Sequence, residues 1–214
     1  MNRKFKFVIA ILFLLLAAYV KLPAVEKSKE YHESWPAQSV ELLEINNKFG
    51  EVKVINDGSG NLTIDVVITV EASGAMKAEE LLNLVNVSFN QTGSSVSART
   101  NMSDDFESRN KFSIDYEVNI PSDKNLNITN KYGNVFVNVL NANGIFDIQY
   151  GNFTANQLNA PEGRKIEMNL GYGKADIGSG NDIYATIQYS SINFGQLGDL
   201  TLNTKYTVIN LEGI

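Results

Sequence analysis

The sequence predicts an all-β protein: a single-stranded β-solenoid, or β-helix, with wider N-terminal strands and one short helix. Three observations carry that prediction. An aromatic residue returns at Tyr132, Tyr150, Tyr172, Tyr189 and Tyr206, at intervals of 18, 22, 17 and 17 residues, with an earlier copy at Phe49. Apolar and polar residues alternate on both sides of every copy. A glycine or small hydroxyl residue follows each aromatic: Gly50, Gly133, Gly151, Gly173, Ser190 and Thr207. A fixed period in this range marks stacked repeats, and alternation with period two marks strands.

Four residues before the aromatics stand Ile45, Ile128, Phe146, Met168, Ala185 and Leu202. Three and five residues after them stand pairs such as Val52 and Val54, Val135 and Val137, and Ile192 and Phe194. The inward set is therefore even before the aromatic and odd after it, so a corner lies between two strands. The small residue suits a bend that needs unusual dihedrals or close backbone approach. A strand, corner, strand unit cannot bury its apolar face alone. Stacking in parallel, with rungs about 4.8 Å apart, solves this. The Leu-x-x-Leu-x-Leu pattern of a leucine-rich repeat is absent.

Taken from its start, the chain opens with Arg3, Lys4 and Lys6 followed by an apolar run from Phe7 to Val20. Residues 1–24 read as a signal peptide or a membrane anchor; the run is shorter than the roughly 20 residues of a spanning helix. The chain has no cysteine, which removes disulfides, thiolate metal sites and cysteine nucleophiles. Loss of the leader takes four basic residues and no acidic one, moving the net charge from −6 to −10. An acidic surface disfavours nucleic acid and anionic lipid.

Residues 25–40, which hold the single His32 and single Trp35, read as an extended charged lead-in, and His32 as a solvated residue without a role. Residues 41–214 read as one solenoid domain. Its first part, 41–121, has unbroken alternation at Leu62–Val70 and at Phe112–Ile120, with an amphipathic helix expected at about 75–84. Pro121 closes the last of these strands, since it has no ladder donor. Its second part, 122–214, holds the regular rungs of 17–22 residues. The final Leu211-Glu212-Gly213-Ile214 falls within a repeat's second strand, so either another molecule covers this end or the sequence is a fragment of a longer chain.

The Asn-Lys-aromatic-Gly phrase at 47–50 and 130–133, the Phe112-Ser113-Ile114-Asp115-Tyr116 strand ending in Ile120-Pro121, and the Tyr-Gly rungs after it resemble the bacterial putative-adhesin domain family of unknown function, related to autotransporter adhesin head GIN domains. The resemblance spans nearly all of residues 38–214. It implies a right-handed β-solenoid, an exported location in the periplasm or at the cell surface, and no established catalytic activity.

The aromatic column is the most suggestive constellation, since exposed stacked aromatics can form a platform for sugar rings. The parity of each copy, however, places every tyrosine on the face of the apolar residues two and four positions earlier. The expectation is thus a buried structural stack, with Asn47 and Asn130 as an inward amide ladder. Asp147, Asp176, Asp182 and Asp199 share no rung position, and Arg164 with Lys165 is the only basic pair among the rungs. No Ser-His-Asp set can form around His32. Gly178-Ser179-Gly180-Asn181-Asp182 only echoes a calcium repeat, so no catalytic, cofactor or metal residue is assigned. Asn-x-Thr at Asn61, Asn127 and Asn152 matters only in a eukaryotic secretory pathway.

The functional expectation is a non-catalytic exported binding or adhesion module. Its partner would be a cell-surface glycan or an envelope protein, met through outward residues such as Asn134, Asn152 and Lys174. The alternative is an envelope structural or regulatory protein acting by protein contact or end-to-end self-association. A polysaccharide-active enzyme is the minority alternative. Contact with a membrane is expected only through the N-terminal segment.

Overall fold

A computed structural model describes residues 24–108 and 111–213. The expected leader, but for Ala24, lies outside them. The chain forms a β-solenoid of about five turns with one short helix.

The regular rungs begin at β8. Each has one strand on either side of a core. On one side are β8 (Asn125–Lys131), β10 (Gly144–Gln149), β12 (Ile166–Gly171), β14 (Ile183–Gln188) and β16 (Leu200–Lys205). On the other are β9 (Val135–Leu140), β11 (Phe153–Asn159), β13 (Lys174–Asn181), β15 (Ser191–Leu197) and β17 (Val208–Gly213). All neighbours pair in parallel. The register aligns Ile128, Phe146, Met168, Ala185 and Leu202 in one column and Val135, Phe153, Ala175, Ile192 and Ile209 in the other. Each column is apolar throughout, with a single alanine, Ala185 in one and Ala175 in the other. Phe146 and Phe153 meet across the core at 4.9 Å between centroids, and both are fully buried.

The N-terminal part adds strands out of chain order. The rung of β2 (Leu42–Lys48) and β3 (Val52–Ile55) sits next to β8 and β9. Outside it lie β6 (Ser95–Met102) and β7 (Phe112–Asn119), parallel to β2 and β3. Antiparallel strands finish this end: β5 (Val85–Thr92) on β6, β4 (Asn61–Ala72) on β7, and β1 (Val25–Pro36) on β4. The helix α1 (Ala75–Asn83) packs against β1, β4 and β5 and buries Ala78, Leu81 and Leu82.

Residues 25–36 depart from the expected lead-in, because they form a sheet strand paired over its whole length with β4. Its core-side residues include Tyr31 and Trp35, whose rings lie 6.0 and 6.4 Å from that of Phe89. The charged Glu26 and Glu30 face outward with His32, and Pro36 ends the strand. Charged side chains and a terminal proline protect an edge from further pairing. His32 Nδ1 lies 2.6 Å from Asp65 Oδ1 in solvent.

One buried polar network ties the two N-terminal rungs. Asn47 Nδ2 donates to the Ile114 carbonyl at 2.9 Å, and Thr100 Oγ1 donates to Asn47 Oδ1 at 2.8 Å. Thr100 has one proton, so the buried Tyr116 hydroxyl, 2.8 Å away, donates to it. Burial pushes the Tyr116 phenol well above its ordinary value of 10.0, and the Thr100 contact offsets this only in part. A raised folded value makes the contribution to stability complete below pH 10 and lost as pH rises toward that value. The melting temperature should therefore fall above about pH 10. Tyr116→Phe should flatten this dependence and cost roughly 1 kcal/mol at neutral pH.

Candidate functional site

The corner between the two strands of each rung is made by the aromatic itself. Phe49, Tyr132, Tyr150, Tyr172, Tyr189 and Tyr206 all adopt left-handed backbone, with φ between +50° and +67°. That conformation costs a non-glycine residue roughly 1–2 kcal/mol. It breaks the pleat one position earlier than strand parity implies. The last inward residue is the one two before the aromatic, and Asn47, Asn130, Ile148, Leu170 and Ile187 are each at most 1% exposed. The aromatic then swings outward. Tyr132, Tyr150, Tyr172, Tyr189 and Tyr206 are 42%, 47%, 51%, 42% and 75% exposed, which overturns the expectation of a buried stack.

The glycine after the aromatic has a different task from the bend. Gly50, Gly133, Gly151 and Gly173 have no left-handed φ. A Cβ at Gly151 would lie 1.8 Å from the Gly133 carbonyl oxygen, and at Gly173 1.8 Å from that of Gly151. Close stacking of backbone on backbone therefore demands glycine here. Ser190 and Thr207 stand at this place in the last two rungs, where their hydroxyls donate to the Gln188 and Ile187 carbonyls at 2.7 and 2.9 Å. Inter-rung bonding runs through the corner: the N–H groups of Tyr132, Tyr150 and Tyr189 donate to Gln149, Gly171 and Lys205 carbonyls at 2.9 Å.

The outcome is a ladder of parallel rings. Successive centroids from Phe49 to Tyr206 are 4.9–5.1 Å apart, with interplanar angles of 3–24°. Ring faces are spent on each other, and edges meet solvent. Sugar rings stack on open aromatic faces, so the ladder does not supply the platform its composition suggested; it supplies a ridge of phenol edges. Lysines flank it. Lys131 Nζ is 5.0 Å from the Tyr132 centroid, and Lys205 Nζ is 5.7 Å from those of both Tyr189 and Tyr206.

Asn47 and Asn130 point inward. Asn130 Nδ2 donates to the Gly50 and Asn134 carbonyls at 2.9 and 3.0 Å, bracing the corner from inside. Asn134 and Asn152, expected as contact residues, are exposed but engaged: their side-chain oxygens accept the N–H of Asn152 and Lys174, each at 3.0 Å. Lys174 pairs with Asp176 at 2.9 Å. A second amide ladder, Asn56 to Asn138 to Asn156, runs along the opposite sheet at 3.2 and 2.9 Å. The regular 18-residue step from Asn138 to Asn156 was its signal in the sequence.

Asp147 and Asp176 lie on opposite sheets. Asp182 and Asp199 do share a rung position, contrary to expectation, since each immediately precedes one of the register partners Ile183 and Leu200. An insertion-free count from the tyrosines would have found this pair. Among the described residues no three acidic or histidine side chains gather where a metal could be held. No helix of the described residues is long and apolar enough to cross a membrane.

Sequence reading also missed the row immediately before the aromatics. Lys48, Lys131, Gln149, Gly171, Gln188 and Lys205 stand in register. At Gly171 the row is interrupted by a hollow of about 280 Å³ between β10, β12 and β14.

No family model and no curated protein matches the chain. Solved structures do. One described as a putative cell adhesion protein from Clostridium sporogenes is 10% identical with a TM-score of 0.48, over 88% of this chain and 100% of that one. A putative adhesin from Parabacteroides distasonis is 13% identical with a TM-score of 0.35, over 91% and 99% of the two chains. Another from Bacteroides fragilis is 16% identical with a TM-score of 0.32, over 87% and 97%.

Proposed function

We propose that this chain is a non-catalytic, exported adhesion-type binding module whose contact surface is the tyrosine ridge and the sheet face beside it. The supporting observation is that five tyrosines occupy left-handed backbone and yet stay 42–75% exposed. Glycine or asparagine would turn the corner at less cost. Stacking returns about 0.5–1.5 kcal/mol per pair, which offsets the backbone cost and leaves a rigid, regularly spaced row of phenol edges. Rigid aromatic residues of this kind make contact at little entropic cost.

The test is binding of the full chain to purified envelope polysaccharides and envelope proteins on an array. Replacing both Tyr150 and Tyr172 with Asn, which tolerates the left-handed corner, should reduce binding at least ten-fold with melting nearly unchanged. Wild-type binding by that variant, or release of new reducing ends from a polysaccharide, would overturn the reading.

A further inference from the structure

We infer that the hollow at Gly171 is a subsite for one neutral sugar residue of a glycan. The inference rests on the reading of the chain as a binding module and names the ligand class of that surface.

Five of the six residues in the row before the aromatics carry long side chains, and Gly171 carries none. The Gln149 amide lies over Gly171, its oxygen 2.3 Å from where a Cβ would stand, so the open space lies between that amide and Gln188 on the next rung. A volume of about 280 Å³ falls just under the usual range for drug-sized ligands, roughly 300–1,000 Å³, and suits a single ring.

The walls are polar and planar. Asp147, Asn169 and Thr186 stand in register in the next outward row, and the edge of Tyr172 closes the ladder side. Gln149 Nε2 donates to Asp147 Oδ1 at 3.1 Å, which holds the Gln149 amide across Gly171. On the opposite sheet, the Asn134 and Asn152 side-chain oxygens each accept an N–H from the next rung. Among the described residues, the side chains of Asn169, Thr186 and Gln188 have no protein hydrogen-bond partner. A carboxylate, three carboxamides and a hydroxyl arranged around one hollow offer the mixed donors and acceptors that neighbouring sugar hydroxyls need. The only charge in the wall is Asp147, which disfavours an anionic ligand.

Lys131 lies one rung beyond Gln149, and Lys205 one rung beyond Gln188, each held near the tyrosine rings. Their ammonium groups frame the hollow without entering it.

Ligand-observed NMR of the full chain with methyl glycosides of glucose, galactose, mannose and N-acetylglucosamine tests the site. At least one should bind, with a dissociation constant on the order of 1 mM. Gly171→Gln fills the hollow. A Cβ there meets only the flexible Gln149 amide, 2.3 Å away at its oxygen, so the variant should melt like the wild type. Both Gly171→Gln and Asp147→Ala should weaken binding at least ten-fold. Thr154→Ala, on the opposite sheet, should leave it unchanged. Binding that survives Gly171→Gln overturns the subsite and leaves the module reading standing. The same holds if no glycoside binds while envelope components still do. If neither glycosides nor any envelope component bind, both readings fall.

Discussion

Gly151→Ala is expected to lower the melting temperature by about 10 °C, although it adds one methyl group at the protein surface. The added Cβ would sit 1.8 Å from the Gly133 carbonyl oxygen, in backbone that cannot turn aside as a side chain can. Relief requires the two rungs to part, which strains the inter-rung bonds of Tyr132 and Val135. Overpacking of this kind costs about 3 kcal/mol, and each kcal/mol shifts the melting point of a chain this size by about 2–4 °C. In a stacked array each rung touches only its neighbours, so the damage should be local. Hydrogen exchange should quicken in β9 and β11 while β1 and β4 stay protected. Gly171→Ala is the matched control, because its Cβ meets a side chain only; it should melt within about 2 °C of wild type. Equal losses from both variants would remove backbone stacking as the reason for the Tyr-Gly phrase.

Phe153→Ala is expected to be at least as damaging. Phe153 is fully buried, sits between Val135 and Ala175 in its column, and meets Phe146 across the core. Neither column neighbour is large enough to fill the vacated space. Truncation of a buried phenylalanine costs about 3–5 kcal/mol, so the melting temperature should fall by roughly 10 °C or more. Phe153→Leu keeps most of the volume and should recover more than half of the loss. A full loss in the leucine variant would indicate that ring geometry, not volume, holds this part of the core.

The architecture was legible because both of its signals are local. Period-two alternation around each aromatic marks the strands, and the recurrence of the aromatic marks the stacking; the columns led by Ile128 and Val135 follow directly. The helix at 75–83 was legible in the same way. Strand β1 was not, since an edge strand with one half-covered face can carry charge at most outward positions. The spatial order of β2, β6 and β7 was also hidden, because insertion of the first rung between later strands leaves no local trace.

The tyrosines show where the boundary lies. Their spacing, and the small residue after each, stand in the sequence, and so does the fact that a corner falls between two strands. Which atom turns that corner does not. Parity assumed that the pleat continues through the aromatic and that glycine supplies the bend. In the folded chain the aromatic takes the left-handed conformation and glycine admits the neighbouring carbonyl. That exchange of roles depends on rung-to-rung distance, a property of the stack and not of any single repeat. It turns a buried column into an exposed ridge, and the hollow proposed to hold a sugar lies beside that ridge.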